Sequence, residues 1–462
     1  MLRHSIAAGG FHSMWIADDG LIWGTGYNAS GQLGDGTYTM RTRPVVTGVW
    51  DDWTQVSAGC YTSYGIRADG SLWAWGSNTH GELGIGSTVA KVATPKRIAS
   101  PNKFTWIAAG AFHAVAIRSD GTLWAWGDNA HGQLGNGTRT DSRVPKRVGG
   151  AKDWVAVSTY GYHVAAQRSD GSWWIWGDNN DGQCALGTPG NDLLTPMQVA
   201  GSSSADAVWA GGFQSFARWP AGTPKAGQLT SWGRNQWGQL GRGTSDPNNL
   251  PVPNPAPIAS SLAFMDVQSG WFHTTALLPQ MQVYAWGRND RGQIGIGSMN
   301  TEVTVPTAVP GTNGMTRIAA GELFSIATHI RGEVWGWGDN RQGQLGVPGS
   351  VWPSPVLIKS TRLAYLKTPS APAKVRRGTS MTASGIMLPN HTGKVHVEFW
   401  RKSGTAYVLA KSVNVTPVRT SAGAKWSYSY RPGYTGSWYV IATHADTEHL
   451  LSTSPKRTFA VY

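Results

Sequence analysis

Cysteine, charge and long apolar runs are all scarce in this sequence. Cysteine occurs twice in 462 residues, as Cys60 and Cys184, which excludes a disulfide framework and a cysteine-rich structural zinc site. Charged residues make up only 14%, too few for a long-helix or coiled-coil protein. No run approaches the roughly 18 apolar residues of a membrane-spanning helix. The opening Met-Leu-Arg-His-Ser-Ile-Ala-Ala-Gly-Gly lacks the apolar core of a secretory leader, which leaves two expectations: a cytosolic protein, or a chain whose leader is missing. There is no Gly-x-x-x-x-Gly-Lys-Ser/Thr loop to cradle phosphate and no His-Glu-x-x-His metal pair. Nor is there a Gly-x-Ser-x-Gly elbow placed between strand and helix. The expectation is therefore a protein that is not an enzyme, with no cofactor, no catalytic residue and no metal.

What the chain has in excess is glycine, 60 residues, and tryptophan, 25, the composition of turn-rich β-structure. A segment of the type Trp-x-Trp-Gly-x-Asn-x-x-Gly-Gln-Leu-Gly-x-Gly recurs seven times, its first fixed glycine at Gly26, Gly76, Gly127, Gly177, Gly233, Gly287 and Gly338. The successive spacings are 50, 51, 50, 56, 54 and 51 residues. In each unit short apolar strands flank a turn, as Val115 and Ile117 precede Asp120-Gly121 and Leu123 to Trp126 follow it. Asp-Gly supplies the positive φ that a tight hairpin needs, and the signal returns at Asp19-Gly20, Asp69-Gly70 and Asp170-Gly171. A four-stranded unit of about 50 residues cannot bury its tryptophans alone, so neighbours must stack, and sheets repeated around an axis close into a β-propeller. Seven units predict seven blades. The terminal strands, Ile6 to Gly9 and Pro355 to Ile358, are expected to share one blade.

Trp126-Gly127-Asp128-Asn129-Ala130-His131-Gly132-Gln133-Leu134-Gly135-Asn136-Gly137 and its six relatives, each preceded by a Gly-x-x-His-like slot, resemble the regulator of chromosome condensation repeat. The resemblance covers some 350 of the 462 residues and implies a seven-bladed propeller that serves as a protein-binding disc. Members of that family act as guanine-nucleotide exchange factors, chromatin binders, scaffolds and, in a bacterial branch, inhibitors that cap β-lactamases.

Departures from the repeat select candidate partner-binding residues. Unit four is two residues longer around Cys184 and carries Tyr160 where its siblings have glycine. Trp219, Trp237, Trp271 and Trp352 stand outside the repeated tryptophan slots, and exposed aromatics there would anchor a protein partner or stack on sugar rings. Insertions at 200–207, 219–228 and 246–259 belong on loops, where binding commonly resides. His12, His113, His163 and His273 occupy one repeat slot that holds Thr62, Gln214 and Phe324 elsewhere. Such residues sit on different blades, so a hydrogen bond tying strands is expected of them rather than a metal site.

The net charge of +13 is uneven: residues 1–365 carry +3 and residues 366–462 carry +10. The chain divides into a propeller over 1–365, a linker over 366–374 around Thr368-Pro369-Ser370-Ala371-Pro372-Ala373, and an alternating, strand-rich segment over 375–462. That segment reads as a β-sandwich. Its Gly433-Tyr434-Thr435-Gly436-Ser437-Trp438-Tyr439-Val440 resembles the penultimate-strand region of immunoglobulin-like domains of bacterial secreted proteins, with Trp438 in place of the corner tyrosine. Arg376, Arg377, Lys394, Arg401, Lys402, Lys411, Lys425, Arg431, Lys456 and Arg457 are candidates for an anionic polymer, such as a cell-wall glycan or, less favoured, nucleic acid.

The fold class expected is all-β, a seven-bladed β-propeller followed by a small immunoglobulin-like sandwich. The function expected is a non-enzymatic, protein-binding propeller of a bacterial secreted or cell-surface protein with a basic accessory domain. The alternatives are a guanine-nucleotide exchange factor or chromatin-type regulator, and a carbohydrate or cell-wall binding protein; a cytoplasmic location is the alternative compartment.

Overall fold

In the third unit the Asp120-Gly121 pair makes the hairpin: Gly121 has φ +73°, and Asp120 Oδ1 accepts hydrogen bonds from the Thr122 amide at 3.1 Å and hydroxyl at 2.6 Å. The strands it joins, His113–Arg118 and Leu123–Gly127, pair antiparallel with Ala114 opposite Trp126. Phe104–Ala109 and Ser142–Arg147 flank them, giving a four-stranded meander. The same meander recurs over 6–47, 53–97, 154–198, 207–257, 266–308 and 315–358. The computed structural model describes residues 5–17, 20–186, 188–199, 205–219, 228–358, 365–366, 369–388, 394–420, 423–444, 452–453 and 457–462. Asp19 of the first hairpin signal, most of the expected insertions at 200–207 and 219–228, and Lys456 lie outside the described residues.

Hydrophobic cores lie between sheets rather than within them. One gathers Tyr64, Ile66, Leu72 and Leu83 of the second unit with Phe104, Ile107, Ala114 and Trp126 of the third; the next joins the third to the fourth. All seams but the one between the first and seventh units are also clamped by the second tryptophan of the motif, which donates from Nε1 to a carbonyl of the preceding unit. Trp75 bonds Gln32, Trp126 bonds Glu82, Trp176 bonds Gln133, and Trp232, Trp286 and Trp337 bond Gln183, Gln239 and Gln293, all at 2.7–3.0 Å. Burying roughly 200 Å² of indole contributes about 5 kcal/mol against about 1 kcal/mol for its hydrogen bond. Burial supplies the energy, and the bond sets the ring's orientation.

The row of units closes on itself. The Glu322 amide of the seventh reaches the Gly10 carbonyl of the first at 3.4 Å. Ser13 Oγ and Thr25 Oγ1 of the first donate to the Gln344 and Gly343 carbonyls of the seventh at 2.6 and 2.8 Å. The innermost strands of all seven sheets line one central channel, the arrangement of a propeller. The terminal strands do not share a blade: Ile6–Ala8 is the first strand of the first sheet and Val351–Ile358 the last of the seventh. The reason is the phase of the repeat, whose first unit begins with its own innermost strand and so needs no strand from the far end.

The chain forms two compact units, Met1–Ile358 and Lys359–Tyr462. In the second, a sheet ordered from Tyr365–Leu366 through Met381–Leu388 and Gly423–Tyr430 to Val418–Thr420 faces one built on Val395–Ser403, Ala406–Val415, Gly436–His444 and Arg457–Val461. Met381, Ala383 and Trp426 of one sheet and Val397, Phe399, Trp438 and Val440 of the other share a core, which makes it a sandwich. Part of the stretch expected as a linker belongs to it. Ala371 is in its core, Ser370 bridges Ser384, and Lys374–Val375 pairs parallel with Arg457–Val461. The prolines that suggested a linker also suit an edge, where a missing N–H is harmless.

Candidate functional site

The most distinctive surface of the propeller is built by one repeat position. Immediately before the second strand of each unit stands Phe11, Tyr61, Phe112, Tyr162, Phe213, Phe272 or Leu323, all half-exposed. Each presents its carbonyl to the amide after the motif's first glycine, as Phe112 does to Asp128 and Tyr162 to Asp178, at 2.9 and 3.0 Å. That glycine is obligatory. Gly127 has φ +99°, and a Cβ there would collide with the Phe112 carbonyl.

The result is a rosette of aromatic rings. Phe11 meets Tyr61 at 6.2 Å, Tyr61 meets Phe112 at 6.2 Å and Phe112 meets Tyr162 at 6.2 Å. Tyr162 meets Trp271 at 5.8 Å, Trp271 meets Phe213 at 4.9 Å and Phe213 meets Phe272 at 5.8 Å. One flank is cationic: Arg234 lies over Phe213 at 4.8 Å, and Arg288 over Trp237 at 5.1 Å and Phe272 at 5.6 Å. The other bears His80 against Phe112 and His131 against Tyr162, at 5.8 and 5.4 Å, with the carboxylates Asp128, Asp141, Asp178 and Asp192 around them. Burial, reinforced by Asp192, raises the Asp178 carboxyl above its usual range.

Tyr160 and Trp271 come together at this centre, their rings 6.0 Å apart. Tyr160 lines the channel and its hydroxyl donates to the Gly9 carbonyl of the first unit at 3.3 Å, so it spans the ring from the inside. Trp237 joins the rim through Arg288. The other candidates do not join them. Trp219 packs half-buried against the core between units four and five and bonds Thr230 Oγ1 at 3.1 Å. Trp352 is half-exposed and bonds the Pro348 carbonyl at 3.0 Å. Cys184 is 0% exposed, with its thiol against the Asp178 carbonyl and pushed well up by burial. It is a core residue, because the leucine slot it fills points inward in every unit.

Cys60 sits buried beside the rosette, and burial, with Glu322 adding to it, pushes its thiol up to about 12. The repeat-slot histidines are tethers, as expected. His12, His163 and His273 bond through Nε2 to Ser63, Ser215 and Ser325 of the next unit at 2.8 Å, and His113 to Thr159 at 3.2 Å. Each such serine donates onward to a main-chain carbonyl, Ser63 to Gln32 at 2.8 Å. All four rings are 0% exposed, and burial lowers their pKa to about 3.

In the sandwich, Arg376, Arg377, Lys394, Lys402, Lys411, Lys425, Arg431 and Arg457 are exposed, while Arg401 is half-buried over the Tyr434 ring at 4.5 Å. They are spread over both sheets: Lys425 lies on one, Arg401, Lys402 and Lys411 on the other.

The rosette was legible in the sequence and missed. Six of the seven residues preceding the histidine slot are aromatic, a signal carried by the repeat itself and so invisible to a comparison of residues that break it.

Residues 69–117, 170–217, 226–277, 282–328 and 331–364 match the family model described as the regulator of chromosome condensation (RCC1) repeat. Residues 53–82, 107–133, 266–293 and 315–344 match a second model of that description. The ultraviolet-B receptor UVR8 of Arabidopsis thaliana is 29% identical over 355 residues, covering 75% of this chain and 79% of UVR8. The mitochondrial RCC1 domain-containing protein RUG3 of the same plant is 32% identical over 256 residues, 53% of this chain and 55% of RUG3. Among solved structures, Prp20p from Saccharomyces cerevisiae, described with its binding properties to Gsp1p and histones, superposes with a TM-score of 0.67 at 22% identity over 76% of this chain and 89% of its own. Human WBSCR16 gives 0.60 at 22% over 70% and 86%. At these identities the structural likeness is one of fold.

Proposed function

The chain belongs to the regulator of chromosome condensation (RCC1) repeat family, and from that premise we propose that it is a non-enzymatic, seven-bladed propeller whose aromatic rosette binds a partner protein. The observation that carries this reading is the ring of half-exposed aromatic side chains around the channel mouth, cationic on one flank and anionic on the other. Half-exposed aromatics and arginines are the residues that dominate protein interfaces, and opposed charges fix a partner's orientation. The relatives are consistent with it, since yeast Prp20 has been crystallised bound to Kap60. The sandwich is read as an immunoglobulin-like accessory domain, supported by Trp438, whose indole bonds back to the Tyr434 carbonyl at 3.2 Å as a corner residue does. Its +10 charge supports a secondary affinity for anionic polymer, and the pairing of the two domains supports a bacterial, surface-associated setting.

The test is cross-linking capture with the full chain, comparing wild type with Phe112→Ser/Trp271→Ser at low and high salt. A partner held at high salt by wild type and lost by the double variant is the expected result; the same partner retained by the variant overturns the rosette as its site. The chromatin-type reading is favoured by the likeness to Prp20p. It predicts instead that capture of DNA follows the basic sandwich and collapses as salt is raised.

A further inference from the structure

Two seams of the propeller carry the same trio of side chains, and neither trio is required by the repeat. At the second, His80 of unit two faces Asp128 and Asp141 of unit three; at the third, His131 of unit three faces Asp178 and Asp192 of unit four. We propose that the His80, Asp128 and Asp141 seam binds a divalent transition-metal ion of the zinc type, and that the His131, Asp178 and Asp192 seam is a second, weaker site for the same ion.

The geometry is that of a ligand set. His80 Nδ1 lies 3.1 Å from Asp141 Oδ2, and His131 Nδ1 lies 3.3 Å from Asp192 Oδ2 and 3.8 Å from Asp178 Oδ1. Ligands about 2.0–2.1 Å from a tetrahedral zinc stand about 3.3 Å from one another. In both trios all three donor atoms fall within 4.8 Å. One imidazole and two carboxylates leave the fourth position to water, and the imidazole selects zinc-like ions over magnesium and calcium.

The carboxylates are held from behind, as ligating groups generally are. Asp128 Oδ2 accepts from Gln133 Nε2 at 2.7 Å and its Oδ1 from the Ala130 amide at 3.1 Å. Asp141 spends Oδ1 on the Asn129 amide at 3.0 Å, leaving Oδ2 turned to His80. In unit four, Gln183 and Asn180 hold Asp178 in the same manner.

The rest of the ring shows that folding does not demand these residues. Where units three and four use Asp141 and Asp192 to accept the motif asparagine's amide, units two, six and seven use the main-chain carbonyls of Ala90, Thr301 and Ser350. The seventh unit keeps an aspartate in the slot of Asp128 and Asp178, but there Arg341 neutralises Asp339 at 2.6 Å. At the His80 seam no arginine or lysine forms an ion pair with either carboxylate among the described residues, and one imidazole against two carboxylates leaves negative charge that a dication cancels. At the other seam Arg139 already holds Asp192 Oδ2 at 2.5 Å, so an ion must compete with it. That contrast ranks the two sites.

The test uses the full chain freed of metal by chelation, titrated calorimetrically at pH 7 with zinc chloride and, in parallel, with magnesium and calcium chloride. Wild type is expected to take up zinc at a stoichiometric site without responding to the hard ions, and to gain thermal stability with zinc. His80→Gln, which removes a ligand without touching a cap, is expected to weaken the tighter site at least tenfold and to cancel most of the thermal shift while keeping its metal-free melting temperature. Arg139→Ala is expected to strengthen the second site. Absence of zinc binding at micromolar concentration, or zinc binding by His80→Gln equal to that of wild type, overturns the proposal and leaves the trios as ion pairs.

Discussion

The buried histidines make the fold sensitive to acid. His12, His113, His163 and His273 have pKa values lowered from the usual 6.5 to about 3 by burial, so the native rings stay neutral while the unfolded chain takes up protons below pH 6.5. The stability they contribute is complete above that pH and is lost as pH falls toward 3, by about 2 kcal/mol for each ring at pH 5. His163→Gln is expected to flatten the stability profile between pH 4 and 6 by one proton's worth, about 1.4 kcal/mol per pH unit. Gln214 holds the same slot in unit five and bonds the Gly270 carbonyl at 3.1 Å, so the substitution should fold. Urea titrations at several pH values measure this, and an unchanged slope would refute it. Tyr160 makes a second prediction at this scale. Tyr160→Gly restores the repeat's usual residue yet removes the ring at the axis and its bond to Gly9, and is expected to lower stability by about 2–4 kcal/mol.

Among the elements, the turn between the third and fourth strands decides the most. Gly127→Ala should cost at least about 2 kcal/mol, from strain at positive φ together with the clash against Phe112. Gly150→Ala, where a Cβ meets nothing within 4 Å, should be neutral; equal melting temperatures for the two would sink the argument. The strands, their hairpins and their count per unit could be read from the sequence, because Asp-Gly, Trp-x-Trp-Gly and the 50-residue period are local signals. The seams could not. Trp126 bonds Glu82 across 44 residues, and His80 meets Asp141 across 61, separations that only the stacking of consecutive units brings within reach. The metal-ligand trios escaped notice for the same reason, since their members look like unrelated surface residues until consecutive units are set side by side. The linker was misread because proline and alanine say the same thing at a sheet edge as between domains.

At the scale of the whole molecule, closure rests on a seam unlike the other six. Elsewhere a buried tryptophan clamps one unit to the last, whereas the first unit has Thr25 in that slot and holds the seventh through Thr25, Ser13 and the Gly10 carbonyl. This seam lacks the indole-to-carbonyl clamp of the other six and should open first. Hydrogen exchange is expected to be faster for the amides of 6–26 and 324–345 than for the equivalent amides of units three and four, and uniform protection around the ring would contradict it.

That seam also bears on how the ring could be rewired. Consecutive units are joined by short connectors such as 98–103 and 148–153, each running from the outermost strand of one sheet to the innermost strand of the next. Ile358 and Ile6 stand in that same relation. A bridge of about six residues between them should therefore yield a circular permutant of the propeller, with new ends opened at the Gly149-Gly150 loop, where added atoms meet no neighbour. In topological terms the ring has no preferred first member; its first and last sheets meet at the one joint that lacks the tryptophan-to-carbonyl clamp.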